Sequence, residues 1–124
     1  RFANMIREAE KYLGYPYVWG GSSPSTSFDC SGFVSYVINH CGNGWNVGRL
    51  TATGLKNYCT IIRPEEAKPG DLIFFQGTYD TSGISHVGIY VGNGQIISAL
   101  GKNYGITYSS VTYKSIITIR RIFS

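Results

Sequence analysis

Residues 28–42, FDCSGFVSYVINHCG, decide the fold because they predict a helix that begins at a cysteine. The apolar residues of this segment recur at helical spacing, as Phe33, Val34, Val37 and Ile38. We expect the helix to end near Cys41 and Gly42, since glycine commonly follows a helix C-terminus. Cys30 therefore lies at a helix N-terminus, where backbone N–H groups lack partners and a partial positive charge is present.

The chain before this helix predicts another helix and then a loop. Apolar residues again recur at helical spacing, as Phe2, Ile6, Ala9 and Leu13. Gly14 and Pro16 form a plausible stop for this first helix. Residues 17–27, YVWGGSSPSTS, are rich in glycine, serine and proline and predict a loop, in which we expect Trp19 to be structural.

The chain after the Cys30 helix changes from helical to strand periodicity. Leu50, Leu55 and Tyr58 allow a short third helix. Strands are expected over residues 71–75, 85–91, 95–100 and 117–123, and residues 92–94, GNG, are a strong hairpin signal. Helices first and antiparallel strands afterwards predict an α+β fold, with N-terminal helices packed on a central antiparallel β-sheet.

Length and composition favour one globular domain over residues 1–124, and the start at Arg1 without methionine suggests excision from a longer multidomain protein. The net charge of +4 comes from scattered basic residues, so nucleic-acid binding is not indicated. This charge either suits a polyanionic matrix or is an ordinary solvated surface with no functional meaning. No apolar run approaches the roughly 20 residues of a membrane span, so we expect none.

The cysteines are Cys30, Cys41 and Cys59, an odd number, so at least one thiol is unpaired within the chain. Cys41 and Cys59 either form a disulfide or are two small buried thiols, and the second reading is favoured. There is no CxxC motif, and two histidines give poor support for a zinc cluster. We expect neither a metal nor a cofactor.

A thiol becomes a strong nucleophile when its thiolate is stabilised, and a helix N-terminus and a neighbouring imidazolium both do this. We therefore expect Cys30 to act as a thiolate nucleophile if a base is in reach. The two candidates are His40 and His86. His40 ends the helix that Cys30 begins, roughly 15 Å away at the rise of an α-helix. His86 lies on a predicted strand that can pack against the helix start, so elimination assigns His86 as the base.

Four segments carry a family resemblance: residues 16–21 (PYVWGG), 28–33 (FDCSGF), 68–75 (KPGDLIFF) and 85–92 (SHVGIYVG). Together they resemble the NlpC/P60 family of bacterial cell-wall peptidases. The resemblance implies a papain-like fold, in which a helix carrying cysteine packs on a sheet carrying histidine. It also implies a cysteine endopeptidase that hydrolyses peptidoglycan stem peptides, commonly between γ-D-glutamate and meso-diaminopimelate or lysine.

The whole sequence looks closest to the peptidase half of two-domain wall hydrolases carried on conjugative elements. In such proteins a lysozyme-like domain comes first. The resemblance thus implies a secreted or wall-associated bacterial protein, which we expect to be a monomer.

The resemblance also assigns substrate-binding roles. Tyr17 matches a tyrosine whose hydroxyl helps with the oxyanion or the substrate. Asp29 and Ser31 match residues that hold the free amino terminus and backbone of a short stem peptide. Asp29 is equally suited to cap the helix, worth about 0.5–2 kcal/mol, and the two roles are compatible. Arg49 and Thr51 lie where the family often has a polar substrate contact, although the local spacing differs.

Ser98 occupies the position of the family's third catalytic residue, which is often histidine, asparagine or glutamine. A two-residue turn would pair Ile89 with Ser98 and place Ser98 on the face opposite His86. A three-residue turn over residues 92–94 pairs Gly88 with Ser98 instead, on the same face as His86. We favour the second register, in which the serine hydroxyl accepts the imidazole N–H.

Two rival functions fit the same residues. One is a weakly active or inactive peptidoglycan-binding module, which only the departure at Ser98 supports. The other is a different enzyme on the same scaffold, such as an N-acetylmuramoyl-L-alanine amidase or an acyltransferase. Intact Cys30 and His86 speak against the first, and substrate assays separate all three.

Overall fold

Three α-helices precede a six-stranded sheet in the computed structural model, which describes residues 1–79, 81–112 and 114–123. A short 3-10 helix, Pro64–Glu66, follows the first strand of that sheet. The α-helices are α1 (Phe2–Glu10), α2 (Cys30–His40) and α3 (Ala52–Tyr58). The strands are β1 (Ser22–Ser23), β2 (Ser27–Phe28), β3 (Thr60–Ile62), β4 (Leu72–Gln76), β5 (Ile84–Gly92), β6 (Gln95–Ala99), β7 (Ile106–Ser110) and β8 (Ser115–Arg121). Within the described part of the chain, no helix has the length and apolar character needed to cross a membrane.

Helix α2 is the central helix of the core, and it begins at Cys30 as the sequence predicted. Its apolar face is fully buried, through Phe33, Val34, Val37 and Ile38. These side chains share one cluster with Met5 and Ala9 of α1 and with Leu72, Phe74 and Val87 of the sheet. Because the helix is packed along its length, its first residue is held in a defined place against the sheet.

The sheet has the strand order β3-β8-β4-β5-β6-β7, and every neighbouring pair is antiparallel. The predicted α+β class is confirmed. The two edge strands, β3 and β7, were not predicted, and neither was the small β1–β2 hairpin. Strand β3 has only three residues, and its Ile61 is 66% exposed, so it lacks the buried apolar run that marks a strand in sequence.

The β5–β6 hairpin differs from the predicted turn. Asn93 and Gly94 form a two-residue turn, with positive φ angles of 54° and 72°. The pairing shifts by one residue between Tyr90 and Gly92, so Val91 is an extra residue in a β-bulge. The predicted three-residue turn is therefore wrong, although the bulge produces the same one-residue shift.

This shift brings Ser98 to the same face of the sheet as His86. Ile89 pairs with Ile97, so Gly88 lies across from Ser98. A Cβ placed on Gly88 would lie 3.3 Å from the Cβ of Ser98, which supports this register. The favoured register is correct, and His86 and Ser98 are diagonal neighbours on one face.

The first turn of α2 is pressed against the loop that precedes it. The amide of Asp29 donates a 3.0 Å hydrogen bond to the carbonyl of Gly21. A Cβ on Gly32 would lie only 2.0 Å from that same carbonyl oxygen. Only glycine at position 32 permits the close approach that fixes Cys30 against the loop.

We therefore expect Gly32→Ala to destabilise the domain by about 1–3 kcal/mol or more, since backbone on both sides of the contact must move. The control is Gly54→Ala in α3, where the nearest atoms to the new Cβ lie at 3.4 Å. Alanine's helix preference should make this control neutral or stabilising by up to about 1 kcal/mol. Urea unfolding measures both variants, and equal stabilities would contradict the contact.

Candidate active site

Cys30 opens into a surface pocket of about 240 Å³ at the start of α2. The pocket is lined by Trp19, Asp29, Cys30, Ser31, Arg49, Thr51, Ala52, Thr53, Tyr79, Ile84 and Ser85. These residues come from the loop before α2, the start of α2, the segment leading into α3 and its first turn, the β4–β5 connection, and the start of β5. The pocket therefore lies where the helix N-terminus meets the sheet.

The Cys30 sulfur lies within hydrogen-bonding range of two backbone N–H groups, those of Val87 and Ser31. Burial raises the pKa of the Cys30 thiol to about 11, and the nearby Asp29 charge acts in the same direction. The two N–H groups oppose this by stabilising the thiolate. Because the burial effect dominates, the thiol is protonated at neutral pH in this structure.

His86 is the residue next to Val87 on β5, so the strand that touches the thiol also carries the candidate base. Its side chain is 3% exposed, and its ring contacts Phe75 of β4 with centroids 5.9 Å apart. Burial lowers the pKa of the imidazole to about 4. At neutral pH both groups are therefore neutral, and the expected resting thiolate at Cys30 is not supported, because burial outweighs the backbone N–H groups.

His40 lies at the opposite end of α2 from Cys30, which confirms the geometry used to exclude it. Its ring stacks on Tyr36, with centroids 3.8 Å apart. Its Nδ1 is 2.9 Å from the Tyr36 carbonyl oxygen, to which it donates. This histidine is part of the helix C-terminus and takes no part in the pocket.

Asp29 caps helix α2, as its position before Cys30 suggested. Its Oδ1 accepts a 2.7 Å hydrogen bond from the Gly32 amide, and its Oδ2 accepts a 3.0 Å bond from the Gly20 amide. Arg49 Nη2 donates to both oxygens, at 3.0 and 2.9 Å. One carboxylate therefore joins the loop, the helix start and the segment before α3.

Arg49 and Thr51 both line the pocket, where the family resemblance placed them. Arg49 Nη1 donates to Ser31 Oγ at 2.9 Å and to the Leu50 carbonyl at 2.7 Å, so the guanidinium is held at the wall. Thr51 caps α3 by accepting a 3.1 Å bond from the Gly54 amide. Both side chains have structural partners, and their contact with substrate stays a prediction.

Tyr17 is half-buried and pairs with Phe28 through a β-bridge just before α2. Burial raises the pKa of its phenol to about 12, and the charges of Cys30 and Asp29 add to the shift. The phenol therefore stays protonated at neutral pH. Tyr17 is not among the described residues that line the Cys30 pocket, and its contact with substrate stays a prediction.

Ser98 is fully buried on the His86 face of the sheet. Its Oγ has no hydrogen-bond partner among the described residues. The structure thus brings the serine to the expected face without supplying the expected bond, and its role in holding the ring stays a prediction. The serine hydroxyl is one atom closer to the backbone than the asparagine amide or histidine Nδ1, and two atoms closer than histidine Nε2.

Trp19 was expected to be structural, and this expectation is wrong. The ring is 70% exposed and packs edge-on against Tyr79, with centroids 5.7 Å apart. The two rings form one wall of the pocket. Sequence reasoning missed Tyr79 altogether, because nothing in its neighbourhood marks it as a pocket residue.

All three cysteines are free thiols, so Cys41 and Cys59 do not form a disulfide. Both are partly buried. Cys41 Sγ donates to the Ile38 carbonyl at 3.4 Å, and burial raises the pKa of the Cys59 thiol to about 12. Neither lines the Cys30 pocket.

A cysteine at the start of a buried helix, packed against an antiparallel strand that carries a histidine, defines a papain-like α+β domain. The chain belongs to the NlpC/P60 family, whose model matches residues 14–120.

Two curated proteins are similar in sequence to most of this chain. "Bifunctional muramidase/DL-endopeptidase CwlT" of Bacillus subtilis is 44% identical over 112 residues, which is 89% of this chain and 32% of that protein. "Gamma-DL-glutamyl hydrolase" of the same species is 43% identical, covering 94% of this chain and 28% of that protein. The chain thus spans about a third or less of the length of these curated relatives.

Solved structures share the fold. The NlpC/P60 domain of the peptidoglycan hydrolase SagA superimposes with a TM-score of 0.83 at 36% identity, covering 98% of this chain and 99% of that one. An NLP/P60-family protein similar to a lipoprotein, from Staphylococcus aureus, gives a TM-score of 0.84 at 36% identity, covering 99% of this chain and 41% of that one.

The lowered pKa of His86 makes stability depend on pH. The folded pKa of about 4 lies below the ordinary value of 6.5, so the unfolded chain takes up the proton first as pH falls. The stability associated with neutral His86 is therefore complete above pH 6.5 and is lost as pH falls toward 4. By about pH 4.5 the loss should reach roughly 2–3 kcal/mol.

Urea unfolding at about pH 7 and about pH 4.5 measures this loss. His86→Gln should lose less stability between the two pH values than the wild type. The matched control is His40→Gln, at the exposed end of α2. If His86→Gln loses as much stability on acidification as the wild type does, the buried neutral imidazole is contradicted.

Proposed function

We propose that this chain is a cysteine endopeptidase that hydrolyses peptidoglycan stem peptides at the bond between γ-D-glutamate and a diamino acid. The observation that carries the proposal is the place of Cys30, at a helix N-terminus, open to a pocket and in contact with the strand residue next to His86. The names of the DL-endopeptidase and γ-DL-glutamyl hydrolase relatives support the choice of bond.

In the proposed reaction, Cys30 Sγ attacks the carbonyl carbon and its proton passes to His86. Because burial favours the neutral form of both groups, the proton moves during the attack and not before it. The oxyanion forms near the backbone N–H groups that surround the sulfur. His86 then gives the proton to the leaving amine, and water hydrolyses the resulting thioester.

The remaining site residues bind and position the stem peptide. Tyr17 offers a protonated hydroxyl. Asp29, Ser31, Arg49 and Thr51 are polar side chains that line the same pocket as the exposed ring of Trp19. Ser98, on the same face of the sheet as His86, is proposed as the third member of a triad.

The full protein is proposed to act outside the cell, secreted or bound to the wall, as a monomer. We also propose that a lysozyme-like domain precedes this one in the full protein, a hydrolase carried on a conjugative element. The word muramidase in the name of the CwlT relative supports such a domain. The positive charge of +4 suits an anionic wall.

Cys30→Ala is expected to abolish hydrolysis without unfolding the domain, because it removes the nucleophile and leaves the cap of α2 in place. Products of digested peptidoglycan, containing either diaminopimelate or lysine, are identified by mass spectrometry. Circular dichroism confirms the fold. Cys41→Ser and Cys59→Ser are matched controls that should retain near wild-type rates. Hydrolysis by folded Cys30→Ala would rule out the mechanism.

Ser98→Ala is expected to cost about tenfold or less in rate, the size of one ordinary hydrogen bond. Ser98→Asn should retain activity or raise it, because an amide reaches further toward the ring on the shared face. Steady-state rates for both variants, at matched stability, measure this. A kinetically silent Ser98→Ala means that the enzyme works as a Cys–His dyad.

A further inference from the structure

The Asp29 carboxylate has no acceptor position left for a ligand. Its Oδ2 accepts a hydrogen bond from the Gly20 amide and its Oδ1 accepts one from the Gly32 amide, while Arg49 Nη2 donates to both oxygens. Ser31 Oγ also donates to Oδ1, at 3.4 Å. A carboxylate offers about four lone-pair positions. The side chain is 14% exposed, so solvent reaches little of it.

Arg49 also neutralises the Asp29 charge at the place where substrate would approach. The Nη2–Oδ2 distance is 2.9 Å, and the Arg49 side chain is 37% exposed against 14% for Asp29. Among the described residues that line the pocket, these two are the charged ones. The charge that faces an entering peptide is therefore the guanidinium.

An ammonium group is a poor ligand for this wall. To reach Asp29 it must displace Arg49, which is also bonded to Ser31 and to the Leu50 carbonyl. Until then it meets an ion pair with no net charge, in which the guanidinium is the more exposed group, so the wall offers the ammonium no net attraction. A peptide whose amino terminus is blocked by acylation carries no ammonium and has no need to displace Arg49.

We infer that Arg49 is a specificity-determining residue that masks Asp29, so that the pocket does not select stem peptides with a free amino terminus. This inference rests on the proposed function and replaces the expectation, taken from the family resemblance, that Asp29 reads the amino group. The substrate class is then the stem peptide still joined through its amino terminus to the glycan or to another acyl group.

Two synthetic stem peptides with a γ-D-glutamyl-diaminopimelate bond test the inference, one with a free amino terminus and one N-acetylated. The wild type should show similar kcat/KM values for both, within about threefold. Arg49→Met keeps the side-chain length but frees the carboxylate, and should raise the free-to-acetylated ratio by about tenfold or more, the range of a charge-assisted hydrogen bond. Arg63→Met, at an exposed ion pair away from the pocket, is the control.

Asp29→Asn provides a second variant that keeps the helix cap, since asparagine caps as well as aspartate. In the wild-type background it should leave the ratio unchanged. In the Arg49→Met background it should bring the raised ratio back to the wild-type value. A ratio that falls when Asp29→Asn is made alone would overturn the inference, as would a wild type that prefers the free peptide by about tenfold.

A binding measurement separates the two proposals. Calorimetric Kd values for both peptides on Cys30→Ala protein report the pocket without catalysis, and similar values support the masking of Asp29. If the wild type hydrolyses neither peptide nor isolated peptidoglycan, the proposed function fails. If it hydrolyses the peptides but strongly prefers the free amino terminus, only the role of Arg49 fails.

Discussion

The rest of the site depends on the hydrogen bonds that the Asp29 carboxylate accepts. This carboxylate caps α2 through Gly32, holds the preceding loop through Gly20, and binds the segment before α3 through Arg49. The first two segments follow each other in sequence and the third lies 20 residues beyond Asp29, and each contributes residues to the lining of the Cys30 pocket. A buried carboxylate with this many donors is stabilising only while all of them are present, because a missing donor leaves charge poorly compensated. The thiol's position therefore depends on a network that does not include the thiol.

The sequence was most informative where local chemistry and packing agree. The helix from Cys30 was predictable because an aspartate cap and an apolar stripe coincide within ten residues. The central strands were predictable because each contains a run of apolar residues that the fold buries. The edge strand β3 was not, because its residues are exposed and its formation depends on β8, about sixty residues later. Trp19 was misread, because a large aromatic residue in a loop predicts burial more readily than a pocket wall.

The β5–β6 hairpin shows how a correct register can follow from a wrong local conformation. Only the one-residue shift was needed to bring Ser98 to the face of His86, and both a three-residue turn and a bulge provide it. The sequence GNG permits either, because each of these residues tolerates positive φ. The missing bond from Ser98 Oγ was beyond sequence reasoning altogether, since it depends on tenths of an ångström between side chains on different strands.

The burial of the Cys30 thiol has a consequence for the chemical durability of the protein. Peroxides and disulfides react with thiolates, and a thiol whose pKa is raised to about 11 is almost entirely protonated at neutral pH. Burial therefore lowers the fraction of thiolate that peroxides and disulfides can attack. If the thiol loses its proton only during attack on a bound peptide, as proposed, the same burial protects the nucleophile from oxidation between reactions.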